Sequence, residues 1–151
     1  MKSKPNPKHL LIYASLAEAY AMELETVQNY LANSVHLDGI GADVVKRALT
    51  ADVTTELGHA QSLAQRIKTL GGTVPGSLGN ARNQTWLQPP KRSTDVQAVI
   101  RGVIRAEDEA IAHYTKLIQL CDGVDYVTQD LAISILGSEE DHRREFKGFL
   151  A

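Results

Sequence analysis

The sequence predicts an all-α protein, a four-helix bundle in which one long connection crosses from one end of the bundle to the other. Apolar residues recur every three or four positions in four long segments, and no segment shows the alternation typical of a β-strand. A stretch rich in glycine and proline separates the second segment from the third. Since 151 residues suit one domain, we treat 1–151 as a single domain.

The first helix is expected from about Pro7 to Val35, where apolar residues recur at helical spacing. Its core-facing stripe is predicted to be Leu10, Tyr13, Ala17, Tyr20, Leu24, Val27, Leu31 and Val35. Residues 37–41 read Leu-Asp-Gly-Ile-Gly and indicate a turn. Before the helix, residues 1–8 carry Lys2, Lys4 and Lys8 between prolines and are predicted to form a flexible basic arm.

The second helix is expected from about Ala42 to Leu70, and two glycines end it. Its inner stripe is predicted to be Val45, Leu49, Val53, Ala60, Leu63, Ile67 and Leu70. Residues 71–93 then form the crossover, which is too long for a hairpin between neighbouring helices and long enough to span a bundle of about 40 Å. Trp86 is expected to anchor this connection by packing.

The third helix is predicted to open with a capping box over residues 94–97, Thr-Asp-Val-Gln, and to end near Cys121. Asp125 is expected to cap the fourth helix, whose inner stripe contains Leu131, Ile135, Phe146 and Phe149. With a short, a long and a short connection, helices one and two are antiparallel, and so are helices three and four.

Composition excludes several classes of protein. A formal net charge of −2 with interspersed acids and bases does not indicate nucleic acid as the main partner. Cys121 is the single cysteine, so an internal disulfide framework and a multi-thiolate zinc site are excluded, and a reducing, cytoplasmic location is expected. The apolar run after the basic N-terminus is soon interrupted by Glu18, which argues against a secretory signal. No stretch approaches the roughly 20 apolar residues of a membrane span.

A repeated motif carries the functional information. Glu-x-x-His occurs at Glu56 and His59, and again, 83 residues later, at Glu139 and His142. Upstream of each pair lies a glutamate with a tyrosine seven residues on, and these two units are offset by 84 residues; they are Glu23 with Tyr30 and Glu107 with Tyr114. On a helix, residues three apart share a face, so each pair can reach one metal ion. The similar offsets indicate a duplicated unit.

Helical position separates the candidate ligands from neighbouring acids. Glu107 falls among apolar residues, whereas Glu109 lies on a face with charges at three- and four-residue spacing, as on a solvated surface. The duplication favours Glu23 over Glu25, since only Glu23 has the spacing to a tyrosine. On helix four, Glu139 continues the inner stripe and its neighbours turn outward.

Four carboxylates and two imidazoles inside one bundle need charge compensation. Buried charges without partners cost several kcal/mol each, by a rough estimate, and clustered carboxylates take up protons. Two divalent cations balance four carboxylates. Oxygen and nitrogen donors without thiolate favour iron or manganese and can accept zinc. In the expected arrangement Glu56 and Glu139 bridge the two ions, Glu23 and His59 complete one, and Glu107 and His142 the other.

Three further residues are candidates for supporting the ligands. Tyr30 and Tyr114 are expected to hydrogen-bond ligand carboxylates, with ordinary core packing as the alternative. Asp52 lies one turn before Glu56 on the inner face and is expected to orient a histidine; a role at the edge of the stripe is the alternative.

At these residues the chain resembles the ferritin-like superfamily, in particular bacterioferritins and Dps-like proteins with a bacterioferritin-type dimetal centre inside each subunit. A ligand set of this kind characterises ferritin-like dimetal bundles. The resemblance covers about Tyr13 to Phe149. It implies a ferroxidase with two iron ions per subunit, which oxidises Fe(II) with dioxygen or hydrogen peroxide and passes Fe(III) to a mineral core inside a hollow homo-oligomer.

Departures from the family pattern refine this expectation. In bacterioferritins a methionine directly after the glutamate of the first Glu-x-x-His pair ligates haem, and here that position is Leu57, so no haem is expected. The chain ends nine residues beyond His142, without the short fifth helix of bacterioferritins, which favours a dodecameric shell or smaller assembly over a 24-mer. The basic arm resembles the DNA-binding tails of some Dps-like proteins, with a plain solvated tail as the alternative.

Two other functions remain open from the sequence. The same centre with iron or manganese suits a peroxidase or catalase-like enzyme in which no mineral accumulates. The non-enzymatic alternative is a DNA-protecting or structural shell whose metals serve assembly.

Overall fold

The computed structural model describes residues 4, 6–80 and 82–151. Four long helices make up the bundle: α1 (Pro7–His36), α2 (Asp43–Thr69), α3 (Val96–Cys121) and α4 (Tyr126–Phe149). Short 3-10 turns occur at Ile40–Ala42, Ser77–Gly79 and Thr85–Leu87, and the described residues contain no β-strand. The predicted all-α class and the predicted bundle with its crossover between helices two and three are confirmed. Within the described part of the chain, no helix has the length and apolarity needed to cross a membrane.

Helix ends follow local sequence signals, with one difference from the prediction. Asp125 caps α4 as expected, because its carboxylate accepts a hydrogen bond from the backbone N–H of Thr128. The capping box predicted to start at Thr94 is wrong: Asp95 is the cap of α3 and accepts from the N–H of Ala98. An aspartate one residue nearer the helix supplies the stronger acceptor, so the helix begins one position later.

The first helix begins inside the segment 1–8 that was predicted as a basic arm. α1 begins at Pro7, with Asn6 as its cap, so Lys8 belongs to the helix. Proline suits this first position because its missing N–H has no helical partner there. Residues 1–3 and 5 of the predicted arm, with Lys2 among them, lie outside the described residues.

Contacts between side chains define the helix directions. Gly72, just after α2, approaches Tyr13 near the start of α1, so α1 and α2 are antiparallel. Hydrogen bonds between α1 and α3 pair Glu23 with Tyr114 and Tyr30 with Glu107. Residue numbers increase along one helix as they decrease along the other, so α1 and α3 are antiparallel. α2 and α3 therefore run in the same direction, and the connection between them crosses the length of the bundle.

The crossover is packed against the bundle. Trp86 contacts the apolar core, and the guanidinium carbon of Arg105 lies 4.0 Å from the centre of its ring. Gly102 on α3 permits this approach, since a Cβ there would lie only 2.8 Å from the carbonyl oxygen of Trp86. The packing role predicted for Trp86 is confirmed.

The predicted core face of α1 is wrong. All eight residues of that stripe are partly or fully exposed, and Leu10, Leu31 and Val35 are more than half exposed. The face that is buried instead mixes apolar and polar residues; it includes Ile12, Leu16, Ala19, Glu23, Thr26, Asn29, Tyr30 and Asn33. Because polar side chains occupy much of the buried face of α1, the regular recurrence of apolar residues marks a different face of the helix.

Two apolar clusters fill the bundle, one toward each end. The first contains Tyr30, Leu49, Val103 and Phe146, and the second contains Leu16, Leu63, Tyr114 and Ile135, with others in each. On every helix the predicted ligands fall between the stretches that build these two clusters. The packing of the fold therefore leaves a polar layer in the middle of an apolar core.

Candidate metal centre

The six predicted ligands come together in this polar layer. α1 contributes Glu23, α2 Glu56 and His59, α3 Glu107, and α4 Glu139 and His142. Each glutamate is at most 2% exposed, and the two histidines are buried or half-buried. Every helix of the bundle thus supplies at least one donor to one buried cluster.

The six residues form two overlapping groups. One consists of Glu23, Glu56, His59 and Glu139, and the other of Glu56, Glu107, Glu139 and His142. Within each group one donor atom per residue lies within 4.8 Å of the others. Glu56 and Glu139 belong to both groups, as expected of carboxylates that bridge two ions. That these side chains bind metal stays a prediction.

The acids that the sequence analysis set aside lie outside the cluster. Glu109 and Glu140 are exposed on the bundle surface. Glu25 is half-buried, and its carboxylate accepts hydrogen bonds from the backbone N–H groups of Asn83 and Gln84 at 2.9 to 3.0 Å. It holds the crossover against α1, a role that the sequence analysis missed.

The two tyrosines link the halves of the bundle. Tyr30 on α1 donates to Glu107 on α3, and Tyr114 on α3 donates to Glu23 on α1, both at 2.5 Å. Both tyrosines are fully buried. Glu23 and Glu107 each belong to only one of the two donor groups, and we call them the terminal glutamates. Each tyrosine therefore orients the terminal glutamate of the other repeat, which agrees with the predicted hydrogen bonds to ligand carboxylates.

Asp52 lies behind one of the histidines. It is 5% exposed, and its Oδ1 is 3.4 Å from Nε2 of His142. Burial raises the pKa of the Asp52 carboxyl to about 7, although the His142 charge acts in the opposite direction. Asp52 therefore lies beside a histidine, as the sequence predicted.

Two of the four carboxyl groups in the metal-free cluster have raised pKa values and two have lowered ones. Burial raises the pKa of both Glu23 and Glu107 well above the usual range, which favours their protonated forms. Burial also opposes ionisation of Glu56 and Glu139, but hydrogen bonding and the nearby imidazoles outweigh it and lower both pKa values.

The imidazoles supply the compensating positive charge. Burial lowers the pKa of His59, but its contacts with Glu139 and other carboxylates outweigh burial and raise the pKa to about 12. The pKa of His142 is raised for the same reason, led by its contact with Glu107. With Glu23 and Glu107 protonated, the charges of the two remaining carboxylates and the two imidazolium groups cancel. Two divalent cations that displaced all four protons would again leave a neutral cluster.

Several of the candidate ligand atoms are buried without a hydrogen-bond partner. Among the described residues, four buried ligand atoms have no hydrogen-bond partner: Oε1 of Glu56, Oε2 of Glu107, Oε1 of Glu139 and Nδ1 of His142. Nδ1 of His142 is 3.0 Å from Oε1 of Glu56, yet the two atoms are not aligned for a hydrogen bond. Buried polar atoms are normally satisfied, so convergent unsatisfied donors indicate a cation site.

The crossover is also held against α1 through buried residues that sequence reasoning missed. Gln84 is buried, donates from Nε2 to Thr26 and accepts from Asn29. Asn33 donates to the carbonyl oxygen of Leu87 at 2.8 Å. The available signal was the recurrence of Thr26, Asn29 and Asn33 at helical spacing, which marks a polar buried face on α1.

A surface cavity of about 390 Å³ lies between α1, α3 and the crossover, and its lining includes Met22, Gln84 and Trp86. Met22 also lines the small void bounded by the ligand glutamates. Met22 is therefore a lining residue that the cavity and the void share.

Comparison with known proteins supports this interpretation of the fold. The DNA protection during starvation protein of Pyrococcus furiosus is 26% identical over 141 residues, covering 89% of this chain and 74% of that protein. A ferritin-like, diiron-carboxylate protein from Bacillus anthracis superposes with a TM-score of 0.84 at 24% identity, covering 97% and 99% of the two chains. The dodecameric thioferritin, a bacterioferritin-related protein from Bacteroides fragilis, gives a TM-score of 0.79 at 23% identity, covering 92% and 83%.

A family model completes the comparison. The model of the ferritin-like domain matches residues 13–151, a range that contains all four helices except the first six residues of α1. It also contains the six predicted ligands and both tyrosines. The chain therefore belongs to the ferritin-like domain family.

Proposed function

We propose that this protein is a ferroxidase that binds two Fe(II) ions per chain and oxidises them with dioxygen or hydrogen peroxide. The observation that carries the proposal is the pair of overlapping donor groups that share Glu56 and Glu139 in a buried layer. Bridging carboxylates hold two ions close together, and oxygen and nitrogen donors suit iron. Manganese and zinc fit the same donors.

Electron counting explains why two ions per chain are useful. Each Fe(II) gives up one electron, so a pair supplies the two electrons that, with two protons, reduce one hydrogen peroxide to two waters. With dioxygen, the same two electrons and two protons yield hydrogen peroxide. The chain's own part is to hold the ions, through Glu23 and His59 on one side and Glu107 and His142 on the other. Tyr30 and Tyr114 keep the terminal glutamates in place.

We further propose a role in iron storage or detoxification and in protection against oxidative stress. This role is supported by the relative named for DNA protection during starvation and by the structural similarity to a dodecameric thioferritin. The proposed assembly is a homo-oligomer, with a dodecameric shell or smaller assembly favoured. DNA binding through residues 1–8 has only three lysines in its favour.

The test begins with metal-free protein loaded anaerobically with two Fe(II) per chain. Dioxygen or peroxide is then added while near-ultraviolet absorbance follows Fe(III). Glu56→Ala and His142→Ala should slow oxidation by more than about 100-fold, the upper range for loss of a residue that merely supports a metal ligand. Glu140→Ala, next to Glu139 but exposed, is the matched control and should oxidise Fe(II) like the wild type.

The outcomes separate the candidate functions. Absence of Fe(III) formation, or equal rates in the wild type and both ligand variants, would exclude a ferroxidase. Repeated consumption of peroxide with iron or manganese, without accumulation of oxidised metal, would favour the peroxidase or catalase-like enzyme. A shell that retains DNA without metal chemistry would favour the non-enzymatic alternative, and comparison with a chain lacking residues 1–8 would test the arm.

A further inference from the structure

We propose that Asp52 makes the two halves of the duplicated centre unequal, so that the position formed by Glu56, Glu107, Glu139 and His142 binds a divalent cation more tightly than the other. This inference rests on the proposed function only in requiring that the centre binds metal. Asp52 acts through His142 and is a positioning residue.

The two nitrogens of the His142 ring face different partners. Nδ1 points toward the ligand cluster, at 3.0 Å from Glu56 and 3.5 Å from Glu139. Nε2 points away from the cluster and lies 3.4 Å from Oδ1 of Asp52. Nδ1 therefore faces the ligand cluster, and Nε2 faces the Asp52 carboxylate at a distance just beyond that of an ordinary N–H···O hydrogen bond.

A carboxylate behind a metal-binding imidazole has known physical consequences. A neutral imidazole that binds a cation through Nδ1 carries its proton on Nε2, and an acceptor there selects this tautomer and holds the ring orientation. The acceptor also makes the bound nitrogen more electron-rich. Removal of such a partner typically lowers metal affinity by about 10 to 100-fold.

The duplication supplies an internal comparison. The offset of 83 residues that relates the two Glu-x-x-His pairs places Ile135 at the position equivalent to Asp52. Ile135 is buried at 3% exposure in the second apolar cluster and offers no acceptor.

His59, the histidine of the other pair, also differs at its far nitrogen. Its Nδ1 lies 3.0 Å from both Glu56 and Glu139, but among the described residues its Nε2 has no side-chain partner. Both histidines thus point Nδ1 toward Glu56 and Glu139, whereas among the described residues only His142 has a carboxylate behind its ring. This contrast predicts stepwise binding, with the more exchangeable ion on the side of Glu23 and His59.

Co(II) is a suitable probe, because its visible absorbance reports ligand geometry and no oxidant is needed. Anaerobic titration of the full chain should resolve two steps that differ by about 10 to 100-fold in affinity. Crystals grown with one Co(II) per chain should show the anomalous peak beside His142. Asp52→Ala should weaken the tighter step by about 10 to 100-fold and leave the weaker step unchanged. Asp52→Asn, which retains a neutral acceptor, should fall between Asp52→Ala and the wild type.

Asp141→Asn is the matched control, since it removes a negative charge next to His142 on an exposed side chain paired with Arg144. It should titrate like the wild type, and circular dichroism should show equal helix content in every variant. Equal occupancy of the two positions in the wild type, or equal weakening of both steps in Asp52→Ala, would overturn the inference and leave the ferroxidase proposal standing. Absence of Co(II) binding would overturn both.

Discussion

The two halves of the bundle, α1 with α2 and α3 with α4, share a ligand pattern but differ in what packs against them. Tyr30 and Tyr114 orient each other's glutamates across the halves in the same way. On α1 the buried face also carries polar residues that bind the crossover, and at the 84-residue offset α3 has Ala110, His113 and Leu117 in place of Thr26, Asn29 and Asn33. The two halves thus share the residues of the candidate site. The other residues of α1 and α3 differ, because each helix packs against different neighbours.

The largest expected effect tests the equivalence of the halves. Each half contributes a glutamate and a histidine with raised pKa values, Glu23 with His59 and Glu107 with His142, so the protonated forms of these groups are favoured in the metal-free protein. Metal binding requires their deprotonated forms. One proton from each group gives up to four per chain, and the combined affinity for two ions should fall by up to about 10⁴-fold per unit decrease in pH.

Calorimetric titration with Co(II), in buffers of different ionisation heat, measures this proton release. Glu23→Gln and Glu107→Gln should each lower it by one proton, since glutamine has none to give up. Unequal reductions would show that the halves differ in protonation as well as in their surroundings.

The second prediction exchanges a pair of residues that differ between the halves. Leu117→Asn removes a fully buried leucine and buries an amide in an apolar cluster, so it should lower the free energy of unfolding by about 3 to 5 kcal/mol. Asn33→Leu removes the donor to the Leu87 carbonyl and should cost only about 1 to 2 kcal/mol, since added apolar burial offsets part of the loss. Urea unfolding of the metal-free protein at fixed concentration compares them. A stabilised Asn33→Leu would show that α1 does not need its bond to the crossover.

The smallest expected effect concerns two glutamates at equivalent positions, Glu25 and Glu109. Glu25→Gln weakens the hydrogen bonds to the crossover and should cost about 1 kcal/mol. Glu109→Gln on the exposed face of α3 should change stability by less than about 0.5 kcal/mol. Hydrogen exchange locates the difference, because the amides of Asn83 and Gln84 should exchange faster only in Glu25→Gln. Equal protection in both variants would contradict the anchoring role.

Much of the candidate site was predictable because its chemistry constrains short sequence spacings. Glu-x-x-His is a local pattern, and its repetition with an upstream glutamate selected Glu23 and Glu107 over Glu25 and Glu109 before any packing was known. The burial of the chosen glutamates agrees with that selection. For α2 and α4, apolar periodicity also indicated the inner faces, since apart from the ligand layer these helices bury mainly apolar side chains.

The four helices, the long crossover and the candidate ligands were predictable from the sequence alone, because helix periodicity and ligand spacing are local properties. Three-dimensional packing set the buried face of α1, the crossed tyrosine bonds and the orientation of Asp52 behind His142. It also decided that Glu25 holds the crossover. Each of these depends on contacts between residues far apart in the chain, and a polar side chain in a buried position is identified only by the partner that satisfies it.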